Sequence, residues 1–236
     1  GGEAAGVTGG TRVFVTGNCK FDARIPELSQ EERTALRAEM GLENEAPVIV
    51  AGSTHPGEEE IILAAFDEAR GTRPDAGLIL VPRHPERFGK VWGLLQSSGH
   101  AARRLSDGAV AGGSGPARVV LVDRMGMLVR LYGIADVALV AGSFVPGIGG
   151  HNVLEAAAHG VPVVYGPHME KQPELVRLLD SENGGTVSPA ERLGGDILAL
   201  LNDREAATAK GRLGREAVMR NRGSAARNME ILEGCL

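Results

Sequence analysis

The residues best suited to chemistry lie in one short run, Gly149-Gly150-His151-Asn152-Val153-Leu154-Glu155. Two glycines let a backbone come close to a ligand. Asn152 is placed to open a helix, whose free N–H groups favour an anion such as a phosphate. Glu155 follows three residues later in the first turn and points to the same place. A carboxylate there can accept hydrogen bonds from both vicinal hydroxyls of a ribose. The plain structural alternative is a capped helix with Glu155 completing a capping box. In Pro82-Arg83-His84-Pro85, Arg83 keeps its charge and can hold a phosphate through two parallel hydrogen bonds, and His84 can donate to the same anion. The alternative for Arg83 is an ion pair with a nearby carboxylate.

Three further loops belong to the same inventory. In Gly52-Ser53-Thr54-His55-Pro56-Gly57-Glu58-Glu59, Ser53 or Thr54 can cap a helix. His55 is a proton donor, a contact to an acidic sugar, or a structural residue. Glu58 and Glu59 suit the N-terminal end of a helix through its dipole alone. In Asp123-Arg124-Met125-Gly126-Met127 the backbone can pair with a base edge while Met packs on the base face, or the methionines fill core. Gly166-Pro167-His168 either closes the pocket or makes a plain turn.

Regular elements must place these loops. Short apolar runs at 48–51 (VIVA), 78–81 (LILV), 119–122 (VVLV) and 137–140 (VALV) predict strands; 161–165 predicts a fifth, split by Pro162, and Gly185–Val187 a weak sixth. Between them, apolar residues at 61, 62, 65, 66 and 69 give helical spacing over 58–70. Further helices are predicted from Pro85 to about Gln96 and over 127–132, 154–159 and 174–180, and the chain is mostly helical from Glu191 onward. Residues 106–117 read as Gly-rich loop. Continuous apolar strands alternating with helices imply a parallel sheet covered on both faces, an α/β Rossmann-like doubly wound domain. Ligands bind such sheets beyond the carboxyl ends of the strands, where all five loops fall.

Composition narrows the classes. Glycine supplies 34 of 236 residues, about twice its usual share. Eight aromatics (five Phe, two Tyr, one Trp) are too few for a platform that stacks single-stranded nucleic acid. The net charge of -5 opposes a general nucleic-acid binder. Cys19 and Cys235 form neither a disulfide framework nor a zinc pattern, and no metal site is expected. The first loop, GSTHPG, is not the G-x-G-x-x-G of a dinucleotide fold, and no Walker A or G-x-S-x-G pattern occurs. Residues 204–222 carry six Lys/Arg and two Glu, a partner or membrane-surface contact or else a solvated helix face. The chain opens Gly-Gly-Glu-Ala-Ala without a starting Met and reads as the middle of something longer.

Taken together, Thr16-Gly17-Asn18-Cys19-Lys20-Phe21-Asp22, AGSTHPGEE, LVPRHPERF, LVDRMG and GSFVPGIGGHNVLEAAAHGVPVVYGPH resemble the 3-deoxy-D-manno-octulosonic acid (Kdo) transferases of lipopolysaccharide biosynthesis. The resemblance runs in register from about residue 12 to at least 180. It implies the C-terminal domain of a GT-B glycosyltransferase that moves Kdo from CMP-Kdo to a lipid A precursor, with inversion, without cofactor or catalytic metal. Residues 1–16 would be the end of the interdomain linker with a first strand, and 17–236 the donor domain. The N-terminal acceptor domain, with the catalytic base and the contact to the cytoplasmic face of the bacterial inner membrane, would lie outside this chain, and the chain alone would not turn over. By the same resemblance the CMP site comprises Arg83, His84, Arg124, Met125, Gly126, Met127, Gly149, Gly150, His151, Asn152 and Glu155, with His55 as an assisting group. Three departures stand out. Gly147 looks inserted, Met169-Glu170-Lys171-Gln172 replaces an aromatic-Asn-aromatic run, and Cys19 stands where Leu is commoner. A different GT-B nucleotide-sugar transferase or epimerase, or a nucleotide-binding module without catalysis, are the rival readings.

Overall fold

The structure, a computed structural model, describes residues 4–8, 11–42, 45–108 and 118–234. Cys235 and positions 109–117 of the Gly-rich loop lie outside the described residues. Near the start, β1 (Ala4–Thr8) and β2 (Thr11–Phe14) pair as an antiparallel ribbon separate from the main sheet. The helix α1 (Gln30–Glu39) follows, closed by a capping box between Ser29 and Glu32.

The main sheet has seven parallel strands in the order β5-β6-β4-β3-β7-β8-β9. They are β3 (Val48–Thr54), β4 (Gly77–Pro82), β5 (Ala102–Arg104), β6 (Val119–Leu121), β7 (Val137–Val140), β8 (Val163–Tyr165) and β9 (Gly185–Val187). The helices are α2 (Glu58–Thr72), α3 (Phe88–Ser97), α4 (Leu128–Tyr132), α5 (Leu154–Ala157), α6 (Pro173–Ser181), α7 (Leu193–Asn202), α8 (Arg204–Arg220) and α9 (Ser224–Glu233). Strand side chains alternate between two cores. Val48, Val50, Ile79, Val120 and Ala138 join one core, with residues of α1, α4, α5 and α6. Ile49, Leu78, Leu80, Val119 and Leu139 join the other, with residues of α2, α3 and α7. Burial on both faces is why these strands read as unbroken apolar runs. Strand order reverses between β3 and β7, and such a reversal opens a crevice at the carboxyl edge.

Four details differ from the sequence expectation. The edge strand β5 has the sequence Ala-Arg-Arg and no apolar run to announce it. The fifth expected strand begins only at Val163, after Pro162, because proline cannot donate to a ladder. The helix expected from Pro85 starts as a 3-10 turn over Pro85–Arg87 and becomes α-helical at Phe88. Neither Ser53 nor Thr54 caps α2. Gly57 occupies that position in a left-handed conformation (φ 89°).

The basic stretch 204–222 is largely tied into the fold. Arg212 pairs with Glu216, Arg220 with Glu182 and Arg215 with Glu27, while Arg222 donates to the carbonyls of Phe21 and Ala23. The helix α8 also packs closely on the turn before β8: a Cβ at Gly211 would collide with the Gly160 carbonyl, whereas one at Gly195 of α7 meets only ordinary contact. Gly211→Ala is therefore expected to lower stability by about 1–3 kcal/mol through overpacking. Gly195→Ala should be neutral or stabilising by up to about 1 kcal/mol through helix propensity. Urea denaturation of the two variants beside the parent checks both.

Candidate functional site

A cavity of about 340 Å³ opens at the carboxyl edge of the sheet, where the order reverses. Four loops wall it. Ser53 of β3, Val81 and Pro82 at the end of β4 with Arg83 just after it, Arg124 to Gly126 after β6, and His151, Asn152 and Glu155 after β7 all line it. Leu128, Val129, Tyr132 and Val140 supply its apolar side. Seven of the sequence candidates thus meet in one place: Arg83, Arg124, Met125, Gly126, His151, Asn152 and Glu155.

Four candidates do not line the cavity. His84 sits edge-on to the His55 ring, 5.5 Å between centroids. Met127 packs against the core beside α4. Gly149 (φ 90°) and Gly150 (φ 82°) have their own structural demand: a Cβ on the first would meet the Lys171 side chain, and on the second the Met169 side chain. Their smallness admits the 169–171 loop, and Lys171 N donates to Gly149 O at 3.0 Å. Asn152 does not open a helix either. It accepts a hydrogen bond from Leu154 N at 3.1 Å, and α5 is a single turn that begins at Leu154.

The charges of the site are distributed unevenly. Arg83 is exposed, and its guanidinium has no hydrogen-bond or ion-pair partner among the described residues. Arg124 pairs loosely with Glu39 at 3.6 Å. Burial pushes the Glu155 carboxyl up, opposed by the Asn152 side-chain amide at 3.5 Å and by the Arg83 charge. Tyr132 is fully buried and its phenol is held well above its ordinary pKa by burial.

Beneath the cavity lie two glutamates whose role the sequence did not disclose. Glu58 is fully buried and accepts from four backbone N–H groups: His55 at 3.0 Å, Gly142 at 2.8 Å, and Ser143 and Phe144 at 2.9 Å. Burial raises its pKa and the four donors pull it back. Glu59, also buried, takes a two-pronged bond from Arg87 at 2.8 and 2.9 Å and a third from the Thr54 hydroxyl at 2.7 Å. Neither is a mere dipole residue. The spacing that could have flagged the second is Glu59 with Arg87 one strand later.

His55 and His151 touch directly, Nε2 to Nε2 at 2.8 Å, with the rings stacked 5.0 Å apart. Burial lowers the pKa of both. His151 falls to about 4, helped by His55, Arg83, His84 and Lys171. A proton is therefore disfavoured on both rings, most of all on His151. The arrangement as a whole can hold an anion on Arg83, accept from a diol at Glu155, and cover an aromatic or sugar face with Met125.

No protein-family model matches the chain. Curated relatives do. The chain is 37% identical over 224 residues to a 3-deoxy-D-manno-octulosonic acid transferase of Haemophilus influenzae, covering 94% of this chain and 51% of that protein. It is 39% identical over 177 residues to the enzyme of the same name from Aquifex aeolicus, covering 75% and 44%. Among solved structures, the C-terminal CMP-Kdo binding domain of WaaA from Acinetobacter baumannii superposes with a TM-score of 0.71 at 32% identity, over 80% of this chain and 96% of that one. The chain belongs to the Kdo transferase family. Anabaena Alr3699/HepE in complex with UDP, 19% identical with a TM-score of 0.63, shares the fold over 88% of this chain and 53% of that one. The fold is that of a C-terminal GT-B glycosyltransferase domain. The chain spans about half the length of the curated Kdo transferases it matches.

Two outcomes follow from the geometry. Arg87→Met leaves the buried Glu59 carboxyl without its bidentate partner, so stability should fall by about 3–5 kcal/mol. The double variant with Glu59→Gln should recover much of that loss in denaturant titrations. In the folded chain the His55–His151 pair holds its proton less readily than two free imidazoles, His151 being lowered from 6.5 to about 4, so the unfolded chain holds more protons in that window. The pair's contribution to stability is present above about 6.5 and is lost as pH falls toward 4. A plot of Tm against pH should be flatter across that window in His151→Gln.

Proposed function

We propose that this chain is the donor-binding half of an enzyme that transfers Kdo from CMP-Kdo to a lipid A precursor, inverting the anomeric centre and using no catalytic metal. The observation that carries this reading is the Arg83 guanidinium, without a hydrogen-bond or ion-pair partner among the described residues, lining the same cavity as Asn152 and Glu155. A nucleoside monophosphate offers matching groups: a phosphate for Arg83, a ribose diol for Glu155, and a base for the Arg124–Met127 loop. The four-loop cavity at the switch point is where such a ligand sits in a doubly wound domain. The printed description of the Acinetobacter baumannii domain, CMP-Kdo binding, supports carrying that donor over to this chain.

In the proposed reaction a base deprotonates an acceptor sugar hydroxyl, and the oxygen attacks the anomeric carbon of Kdo as CMP departs. The departing phosphate gains negative charge, which Arg83 is placed to stabilise. One phosphate group is a charge that protein groups can balance without Mg²⁺. The base and the acceptor surface are assigned to the part of the relatives that this chain does not span, so the chain alone is expected to bind donor without turning it over. No helix among the described residues is long and apolar enough to cross a membrane. The proposed setting is peripheral contact of the full protein with the cytoplasmic face of the inner membrane, with no nucleic-acid partner.

Calorimetric titration with CMP, UMP and UDP tests the donor class. CMP should bind most tightly, and tighter binding of UDP overturns the reading. Arg83→Ala and Glu155→Ala each remove a charge-assisted hydrogen bond of about 1.5–3 kcal/mol. Each should weaken CMP by about ten- to a hundredfold. Parental affinity in both variants would place the nucleotide elsewhere.

A further inference from the structure

We propose that His55 and His151 act as one proton-holding unit that becomes positively charged when the phosphate of the nucleotide donor enters the cavity; the proposal rests on the donor reading above. The contact itself sets the possible states. Two ring nitrogens at 2.8 Å share one hydrogen, so one ring donates and the other accepts. In the neutral pair the accepting ring keeps its own hydrogen on its outer nitrogen, and one added proton goes to the outer nitrogen of the donating ring, giving an imidazolium that donates to its neutral neighbour through a strong charge-assisted bond. The pair can thus carry zero or one charge and keep its geometry. It titrates as a pair and not as two separate residues.

The surroundings explain why the charge waits for a ligand. Arg83 and His84 come from the loop after β4, Arg87 from the turn that follows, and Lys171 from the loop after β8; all oppose a proton on the pair. From the start of α2, Glu59 acts in the opposite sense but is occupied by Arg87, and Glu58 is occupied by four N–H donors. An anion on Arg83 cancels the repulsion at its source and adds an attraction. A proton from solvent then joins the pair, and no other bond changes. His151 lines the cavity and meets the ligand. His55 is nearly buried beneath it and acts through His151, so it is a positioning residue. Its loop is fixed by its own N–H bond to Glu58.

The linkage is reciprocal: if the nucleotide raises proton affinity, protons raise nucleotide affinity. The test is titration of CMP into the full chain at pH 7, in Pipes and in Tris, whose different ionisation enthalpies report protons exchanged. Uptake of about half a proton or more per CMP is expected. His55→Gln should abolish the uptake while still binding CMP. His100→Gln, changed just ahead of β5 at the opposite edge of the sheet, should keep it. Cytidine, which lacks the phosphate, should bind without uptake. Histidine ring resonances of the parent, followed by NMR with and without CMP, provide a second reading that needs no variant: the apparent pKa of the pair should rise on binding. CMP binding with no proton taken up, or uptake that persists in His55→Gln, overturns the pair and leaves the donor site standing. Failure of CMP to bind at all overturns the donor reading and this inference with it.

Discussion

A carboxylate carried into the interior by Glu58 meets N–H groups from two separate loops, one after β3 and one after β7. A charge so far from water costs several kcal/mol unless its lone pairs are fully engaged. The chain after β7 has one way to meet that demand: three successive N–H groups at 142–144 turn inward together. Gly142 takes a left-handed conformation (φ 72°) to do so, and the space above it is filled by the His151 ring. Ser143, now fixed, accepts from Gly166 N at 2.8 Å and its hydroxyl donates to Val140 O at 2.7 Å. One buried acid therefore locks the loops after β3, β7 and β8 to one another. The cavity walls inherit their positions from it.

The same economy separates the two arginines of the Pro82–Arg87 segment. Arg87 is committed to Glu59 and to the Thr54 carbonyl, and works from below as part of the frame. Arg83, four residues earlier, lines the cavity, and its guanidinium has no hydrogen-bond or ion-pair partner among the described residues. A site that binds anions needs positive charge that is fixed in place but not already neutralised. The paired residues supply the fixing and the unpaired one the charge.

How much of this was legible depended on the range of the interaction. The runs at 48–51, 78–81, 119–122 and 137–140 announced a parallel sheet because each of those residues is buried on one face or the other. Loops at strand ends then had to converge, and seven candidates did. The frame stayed hidden because its contacts span 84 to 86 residues between Glu58 and the 142–144 turn, and two adjacent acids at a helix start have an adequate local explanation. Gly149 and Gly150 misled for the same reason. Glycine marks a close approach, but the sequence does not say of what, and here it is Met169 and Lys171. The helix α1 was legible in principle, through Ser29 and Glu32 at capping-box spacing, but its inward face is thin, with Leu36 its one buried residue.

The shortness of α5 alters how an anion would be held. A helix dipole reaches its full effect only when several turns of peptide units align, and it acts within the first turn. The helix α5 has four residues, and Asn152 uses its side-chain oxygen to bond Leu154 N, one of the N–H groups that would have faced a phosphate. A strong helix-terminus site of the kind the Gly-Gly-His-Asn run suggests is therefore not available there. The burden of charge moves to side chains. Among the described residues the Arg83 guanidinium at the cavity has no hydrogen-bond or ion-pair partner, Arg124 is held only loosely by Glu39, and the His55–His151 pair lies close by as a group able to take a further proton. Side-chain charge is easier to gate than a helix terminus, because a proton can be gained and lost while a peptide dipole cannot. A site whose side-chain charge follows its ligand binds an anion more tightly when occupied by a proton and less tightly when it is not, so its affinity follows pH in a way that a helix terminus cannot.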